Sequence, residues 1–168
     1  MTTYLSPNFT LAEFASASDV QLTAPLELRA QYFASNILQP ARSQFGWPLK
    51  ITSFVRSSDT SSAHVDGSAV DFQPCRACPN PPDATEFARR LEILFTWLAQ
   101  HKASEFGTLI HERNHLHVTR PGAQGRTGVV LREPTEGEYV LADIPPIVLG
   151  GGVALLGLAL WAFTRKQG

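Results

Sequence analysis

The sequence predicts an α+β domain, in which helices flank a small antiparallel sheet, followed by one C-terminal transmembrane helix. Three observations support this fold class: short segments alternate apolar and polar residues, longer apolar stripes recur at helical spacing, and an uncharged run lies near the end of the chain. The 168 residues suffice for one domain with additional segments. The net charge of −1, with no arginine-rich tract, predicts no nucleic-acid binding.

The N-terminal part of the chain is predicted to be helical. Thr10 and Glu13 have the spacing of a capping box, in which each side chain bonds a free backbone amide at a helix start. Pro25 suits the first turn of a longer helix, which we expect to end near Gln39, before Pro40 or a little past it. Apolar residues at roughly helical spacing in this segment are expected in the core: Leu28, Tyr32, Phe33, Ile37 and Leu38.

The middle of the chain is predicted to hold a strand and a long helix. The strand is expected from Leu49 to Val55. A second capping box, formed by Asp83 and Glu86, opens a helix that runs to about His101. One face of this helix is apolar and is expected in the core: Phe87, Leu91, Leu94, Trp97 and Leu98.

Two further strands are predicted to carry the residues with chemical function. Residues 69–72 and 115–119 alternate small or apolar side chains with polar ones, as half-buried strands do. Because alternate residues of a strand point to one face, His115 and His117 emerge side by side. Taken alone, such a pair is more often structural than metal-binding.

A metal site is predicted where these strands meet. His64 lies on the loop that leads into the first of them, and Gly67 would allow the turn between His64 and Asp71. Neighbouring strands would then bring His64, Asp71 and one of His115 and His117 to a single ion. Imidazole nitrogen and carboxylate oxygen bind Zn²⁺, and three protein ligands with one open position are typical of catalytic zinc.

Residues 62–71 resemble the signature of a known family. They match Ser-x-His-x-x-Gly-x-Ala-x-Asp, which is found in the zinc D-Ala-D-Ala carboxypeptidases and L-alanyl-D-glutamate endopeptidases, the M15 peptidases. Residues 112–119 resemble the family's second signature, in which an acidic residue precedes the last ligand histidine. Segments 8–14 and 51–56 resemble small phage-type members, so the likeness covers about residues 4–120. It implies a metal-binding fold shared with the Hedgehog signalling domain.

The resemblance also implies the metal ligands. His64 and Asp71 match the first two zinc ligands of the family, and His117 matches the last one. An alternative register, Glu112-x-x-His115, resembles the spacing in some dipeptidase members and would make His115 the third ligand. We favour His117 as the ligand, with His115 nearby or stabilising the transition state.

Three further roles follow from the same resemblance. Glu112 would act as the general base, Arg56 would steady the developing oxyanion or a substrate carboxylate, and Ser62 would contact the substrate. Simpler readings exist for two of these residues. Glu112 could pair with Arg113 or Arg120 on the surface, and Arg56 could be a solvated charge at a strand end.

The implied reaction is hydrolysis of an amide bond in a peptidoglycan stem peptide, by either an endopeptidase or a D,D-carboxypeptidase, with one Zn²⁺ as cofactor. Two alternatives stay open at this stage. The chain could be a non-catalytic, zinc-containing module that binds the cell wall, or a structural membrane protein of a virion.

Cys75 and Cys78 are the only cysteines, and they lie in a proline-rich segment. A single Cys-x-x-Cys pair can be a short disulfide, two free structural thiols or part of a metal site. The absence of a second pair in the sequence argues against a Cys₄ zinc site.

The C-terminal part predicts a membrane anchor. Residues 147–163 are seventeen residues without charge, which as a helix would span about 25 Å against a hydrocarbon core of about 30 Å. The alternative is a buried C-terminal helix. We expect a peptidase domain over 1–122, a glycine-rich then acidic linker over 123–143, a transmembrane helix over 144–164 and a basic tail over 165–168.

The charges around the apolar run predict the topology. Arg165 and Lys166 follow it and acidic residues precede it, so the positive-inside rule places the catalytic domain outside the cytoplasm. The first residues lack the basic and apolar regions of a signal peptide. We therefore expect a viral membrane or virion, or the bacterial inner membrane with the domain facing the periplasm. Peptidoglycan and the lipid membrane are the expected partners, in phage lysis or wall remodelling.

Overall fold

The computed structural model describes residues 2–58, 62–135 and 138–142. These residues form an α+β fold, as predicted, with a six-stranded sheet and a two-stranded sheet. The helices are α1 (Leu11–Ser16), α2 (Ala24–Phe33), α3 (Gln39–Phe45) and α4 (Ala84–His101). The strands are β1 (Tyr4–Ser6), β2 (Phe9–Thr10), β3 (Leu49–Ser53), β4 (Ala69–Pro74), β5 (Thr108–His111), β6 (Leu116–Thr119), β7 (Val129–Thr135) and β8 (Glu138–Leu141).

Both predicted helix starts are present. Thr10 and Glu13 form the reciprocal capping box at the start of α1. At α4 the Asp83 carboxylate accepts the backbone N–H of Glu86 at 2.8 Å. The Glu86 side chain bonds two arginines of the same helix rather than reaching back, so this second cap is one-sided.

The helix that contains Pro40 runs further than predicted. A π-helical turn over Ala34–Leu38 joins α2 to α3, and the helix ends only at Phe45. A proline inside an α-helix lacks one hydrogen-bond donor and clashes with the carbonyl four residues earlier. Here the amide of Gln39 bonds the Ala34 carbonyl five residues back, which shifts the ladder directly before the proline. The predicted end near Gln39 is therefore wrong.

The core lies between the large sheet and the helices. Alternate side chains of the central strands point into it and are fully buried: Val70, Phe72, Leu109, Leu116 and Val118. Helix α4 packs against this face through its predicted apolar stripe, with Phe95 buried in addition and Trp97 partly exposed. The same alternation directs Asp71 and His117 to the opposite face of the sheet.

The large sheet has the strand order β3-β4-β6-β5-β7-β8 and is mixed, because β5 and β7 run parallel. The prediction of an antiparallel sheet is wrong at this one pair. Strand β6 ends where β5 begins, with the Gly107 amide bonding the Thr119 carbonyl at 2.9 Å. The glycine-rich segment 121–128 crosses at that same end, and the Val129 amide bonds the Gly107 carbonyl. Strand β7 therefore starts beside the start of β5 and runs with it.

The sheet continues beyond the predicted domain boundary at residue 122. Strands β7 and β8 lie within the 123–143 segment that was predicted as a linker, and they complete the sheet on the β5 side. The predicted transmembrane helix over 144–164 and the basic tail over 165–168 lie outside the described residues. Among the helices that are described, none is long and apolar enough to cross a membrane.

Gly107 is expected to be essential for stability, because three chain segments meet at it. An added Cβ would overlap the Arg120 carbonyl oxygen and lie 2.7 Å from Thr119 Oγ1 and 3.0 Å from the Arg126 carbonyl oxygen. We expect Gly107→Ala to lower the free energy of unfolding by about 2–4 kcal/mol, measured by urea denaturation.

Gly122→Ala is the matched control for Gly107→Ala. Gly122 has a positive φ of 75° but no neighbouring atom within 4 Å of an added Cβ. The unfolding free energy of Gly122→Ala should therefore fall only by the backbone cost of a positive φ, about 1–2 kcal/mol. Equal losses of unfolding free energy in the two variants would show that steric crowding around Gly107 does not account for the effect of its substitution.

Candidate metal centre

Three side chains meet on the face of the sheet opposite the core. The distances are 2.8 Å from His117 Nδ1 to Asp71 Oδ1, 3.2 Å from His64 Nε2 to Asp71 Oδ1, and 3.3 Å from His64 Nε2 to His117 Nδ1. His64 is fully buried and Asp71 is 5% exposed. These are the residues that the sequence predicted as ligands in its favoured register.

The strand register positions two of the three residues. Asp71 in β4 lies directly opposite His117 in β6, in the antiparallel pairing of these strands. Directly opposed residues of adjacent strands share a face and lie about 4.5–5.5 Å apart at Cβ. The pairing of β4 with β6 therefore brings the Asp71 carboxylate and the His117 imidazole together.

A tight turn positions His64. The amide of Gly67 bonds the His64 carbonyl at 3.1 Å, and Gly67 has a φ of 68°, in the left-handed region that favours glycine. The amide of Ser68 closes the turn on the Ala63 carbonyl at 2.8 Å. The role predicted for Gly67 is confirmed.

Gly67→Ala should therefore disturb the metal centre as well as stability. An added Cβ would lie 2.9 Å from Leu26 Cδ2 and 3.3 Å from Phe54 Cζ, at a positive φ. We expect a loss of about 1–3 kcal/mol in unfolding free energy and weaker metal binding, because the turn that carries His64 must shift. Gly46→Ala has the same kind of φ, 70°, and open space, so it should leave metal binding unchanged.

The orientation of the His64 ring is fixed by the backbone. Its Nδ1–H donates to the Phe54 carbonyl oxygen at 2.7 Å. A ring nitrogen that donates in this way fixes the tautomer and leaves the other nitrogen as the electron-pair donor. Nε2, the nitrogen that faces Asp71 and His117, is thus the ligand atom.

Asp71 is held in its ionised form. Burial raises the pKa of its carboxyl, but the close contacts of Oδ1 with the His117 and His64 rings lower it by more. The result is a pKa well below the usual range of an aspartate. The ionised carboxylate gives this set of donor atoms a negative charge, which attracts a cation.

The geometry of the three donor atoms fits a metal ion. Tetrahedral ligands with bonds of about 2.05 Å lie about 3.3 Å from one another. The three atoms here are 2.8–3.3 Å apart, so His64, Asp71 and His117 could hold a metal ion with little movement. His115 does not belong to this group, which supports His117 over His115 as the third ligand.

Glu112 and His115 face the same side of the sheet, across the turn between β5 and β6. The Glu112 amide bonds the His115 carbonyl at 3.1 Å, and His115 Nε2 lies 3.0 Å from Glu112 Oε2 and 3.8 Å from Asp71 Oδ2. The antiparallel turn explains the five-residue separation of Glu112 from His117, because Glu112 directly follows β5 and His117 lies on the adjacent strand β6. Glu112 is thereby linked through His115 to the predicted metal ligands.

His115 lies among carboxylates that raise the pKa of its imidazole. Burial lowers the pKa of its imidazole, but the hydrogen bond with Glu112 and the charges of Asp71, Glu112 and Glu133 raise it above the ordinary value. Its Nδ1–H donates to Asn114 Oδ1 at 2.7 Å, which leaves Nε2–H to point at the two carboxylates. His115 is thus suited to donate a hydrogen bond or proton near the ligands.

The structure brings Arg56 to the centre and gives Ser62 a structural contact. Arg56 Nη2 lies 3.8 Å from Asp71 Oδ2, so a positive charge borders the donor set. The Ser62 hydroxyl oxygen accepts the His64 amide at 3.1 Å and so helps to hold the turn. The predicted contact of Ser62 with a substrate stays a prediction.

One other histidine and the two cysteines also have ligand chemistry but lie apart from the centre. His111 points to the core face, where it packs edge-on against Phe95 at 5.2 Å, and burial lowers its pKa. Cys75 and Cys78 form a disulfide, the first of the three alternatives for this pair. None of these three takes part in the group formed by His64, Asp71 and His117.

Sequence reasoning missed the contribution of the main chain and of the C-terminal hairpin. The Phe54 carbonyl that orients His64 has no sequence signal, since every residue carries a carbonyl group. Glu133 in β7 and Tyr139 in β8 stand near enough to the site for electrostatic interaction with its residues. Residues 123–143 were predicted to form a linker, so these two residues were not assigned to the site.

Comparison of the chain with protein-family models, with characterised proteins and with solved structures finds no match. What the site can bind and do is therefore derived from its residues and their geometry.

Proposed function

We propose that this chain is a zinc-dependent peptidase that hydrolyses an amide bond in peptidoglycan stem peptides. The observation that carries the proposal is the meeting of His64, Asp71 and His117 within 2.8–3.3 Å on one sheet face, with Glu112 and Arg56 alongside. Two imidazoles and one carboxylate are a donor set typical of catalytic zinc sites that keep a position open.

The substrate class rests on the resemblance of residues 62–71 and 112–119 to the M15 peptidases, whose Hedgehog-like fold we also propose for this chain. In the same proposal, residues 144–164 anchor the enzyme in a viral membrane or the bacterial inner membrane. The catalytic domain would then face peptidoglycan, in lysis or wall remodelling.

Each residue around the donor set has a role in the proposed hydrolysis. A bound Zn²⁺ would polarise the scissile carbonyl and lower the pKa of water. Glu112 accepts a proton from the attacking water and returns it to the leaving amine, a task worth about 10²–10⁴ in rate. Arg56 places positive charge where negative charge develops on the carbonyl oxygen, and His115 Nε2 lies near enough to the ligands to donate a hydrogen bond there.

The test is hydrolysis of purified peptidoglycan by the full-length chain in detergent, with and without a chelator, followed by mass spectrometry of released fragments. We expect new peptide ends that disappear with the chelator and return when Zn²⁺ is added. Folded, zinc-loaded protein that bound the peptidoglycan without releasing peptides would contradict the proposal and indicate a binding module.

A further inference from the structure

A row of apolar side chains continues from the candidate metal centre to the edge of the sheet. His117 lies opposite Ile110 in β5, Ile110 lies opposite Leu131 in β7, and Leu131 lies opposite Leu141 in β8. Directly paired residues share a face, so all of these side chains lie on the face that carries Asp71 and His117. The metal ligands are thus one end of a continuous surface.

This apolar row is open to solvent at its outer end. Leu141 is 48% exposed and Tyr139, two residues earlier on the same strand and hence on the same face, is 43% exposed. Ile110 and Leu131 are partly buried. The row is thus a contiguous set of apolar side chains that begins beside the site and is accessible at its outer end.

A polar rim runs along the row. Glu112 lies one residue beyond the His111–Arg132 pair of β5 and β7, and Glu133 follows Arg132, so the two carboxylates are neighbours across the strands. They line a cavity of about 320 Å³ together with Arg113 and Asn114. Tyr139 lies on the same face of the sheet as these carboxylates, and burial and the charges of Glu112, Glu133 and Asp71 raise the pKa of its phenol.

We propose that the β7–β8 hairpin forms a substrate-binding surface for an extended peptide of about four residues, with Tyr139 and Leu141 as contacts. Adjacent strands are about 4.8 Å apart, so the path from β6 to β8 is roughly 14 Å. An extended peptide rising about 3.4 Å per residue covers this path with about four residues.

The composition of the surface fits a peptide better than a lipid. Apolar floor residues receive side chains, and the charged and amide groups of the rim offer hydrogen bonds to a peptide backbone. The inference rests on the proposed function and deepens it, because it selects stem peptides of four or more residues over dipeptides as substrates.

The test compares two synthetic ligands, a stem tetrapeptide and the dipeptide cut from its end, by fluorescence anisotropy. The full-length, zinc-loaded chain carries Glu112→Gln so that neither peptide is hydrolysed. We expect the tetrapeptide to bind about tenfold more tightly, and Tyr139→Ala and Leu141→Ala each to remove most of this difference without changing dipeptide binding.

Val140→Ala is the matched control, because Val140 lies between the two residues, is 41% exposed and points to the other face. It should leave tetrapeptide binding unchanged. Equal binding of the two peptides, no measurable tetrapeptide binding, or an equal effect of Val140→Ala would overturn the inference. Variants of Tyr139 and Leu141 that change only the binding of lipid vesicles or self-association would also overturn the inference. The surface would then bind a lipid or a second copy of the chain.

The result is separable from that of the proposed function. Length-dependent binding without hydrolysis by the unmodified chain would remove the proposed function and keep the binding surface. Hydrolysis whose rate does not depend on peptide length or on Tyr139→Ala would keep the proposed function and remove the binding surface.

Discussion

His117→Ala is expected to abolish stoichiometric metal binding, whereas His115→Ala is expected to retain it. His117 Nδ1 lies 2.8 Å from Asp71 Oδ1 and 3.3 Å from His64 Nε2, within the group that could hold an ion. His115 lies outside that group. Partners of metal ligands are already worth about 10–100-fold in affinity, so loss of a ligand should cost more than about a hundredfold.

The measurement is competition for Zn²⁺ against a chromophoric chelator, with the full-length chain and each variant. His111→Ala is the matched control, since it removes a histidine from the opposite face, where the ring packs on Phe95. It should bind zinc like the unmodified chain. Loss of zinc in His115→Ala together with retention in His117→Ala would establish the alternative register, with His115 as the third ligand.

Glu112→Gln is expected to lower kcat for stem-peptide hydrolysis by about 10²–10⁴ while zinc binding is retained. The amide keeps the shape of the side chain but cannot accept a proton from water at neutral pH. Glu112 is not in the group of predicted ligands, so the metal should remain bound. Because the loss is in proton transfer, KM should change little.

Glu133→Gln provides the comparison for this prediction. Glu133 lines the same cavity as Glu112, one strand further from the ligands, and its carboxylate also acts on His115. We expect at most a few-fold change in kcat. Near-normal hydrolysis by Glu112→Gln, or a larger loss for Glu133→Gln, would place the general base at Glu133 or elsewhere.

The parts of the fold that could be predicted are those determined by neighbours in sequence. The caps at Thr10 and Asp83 and the apolar stripe of α4 depend on contacts three or four residues apart, and all are present. Likewise, the turn at Gly67 depends on a local backbone conformation that glycine favours.

The parts that could not be predicted depend on tertiary placement. The parallel pairing of β5 with β7 follows from where the segment 121–128 crosses the sheet, which strand periodicity does not encode. The helical segment continues past Pro40 from α2 into α3 through a π turn that shifts the hydrogen-bond ladder, an arrangement with no simple composition signal. His111 lies within six residues of His117 in the sequence, but strand alternation turns its side chain to the core face.

The candidate site shows the same division. His64, Asp71 and His117 were found because they belong to two short motifs. Glu112 was found because it is the acidic residue that opens the second of them, residues 112–119. The Phe54 carbonyl that orients His64 and the hairpin that carries Tyr139 lie outside any motif and depend on how distant segments pack.

Titration of metal-free, full-length chain with Zn²⁺, while hydrolysis of a stem peptide is followed, tests the central claim most directly. A single site formed by His64, Asp71 and His117 predicts activity that rises linearly with added zinc and reaches its plateau at one equivalent. Activity that is independent of zinc, or protein that binds one equivalent and stays inactive toward every stem peptide, would contradict it.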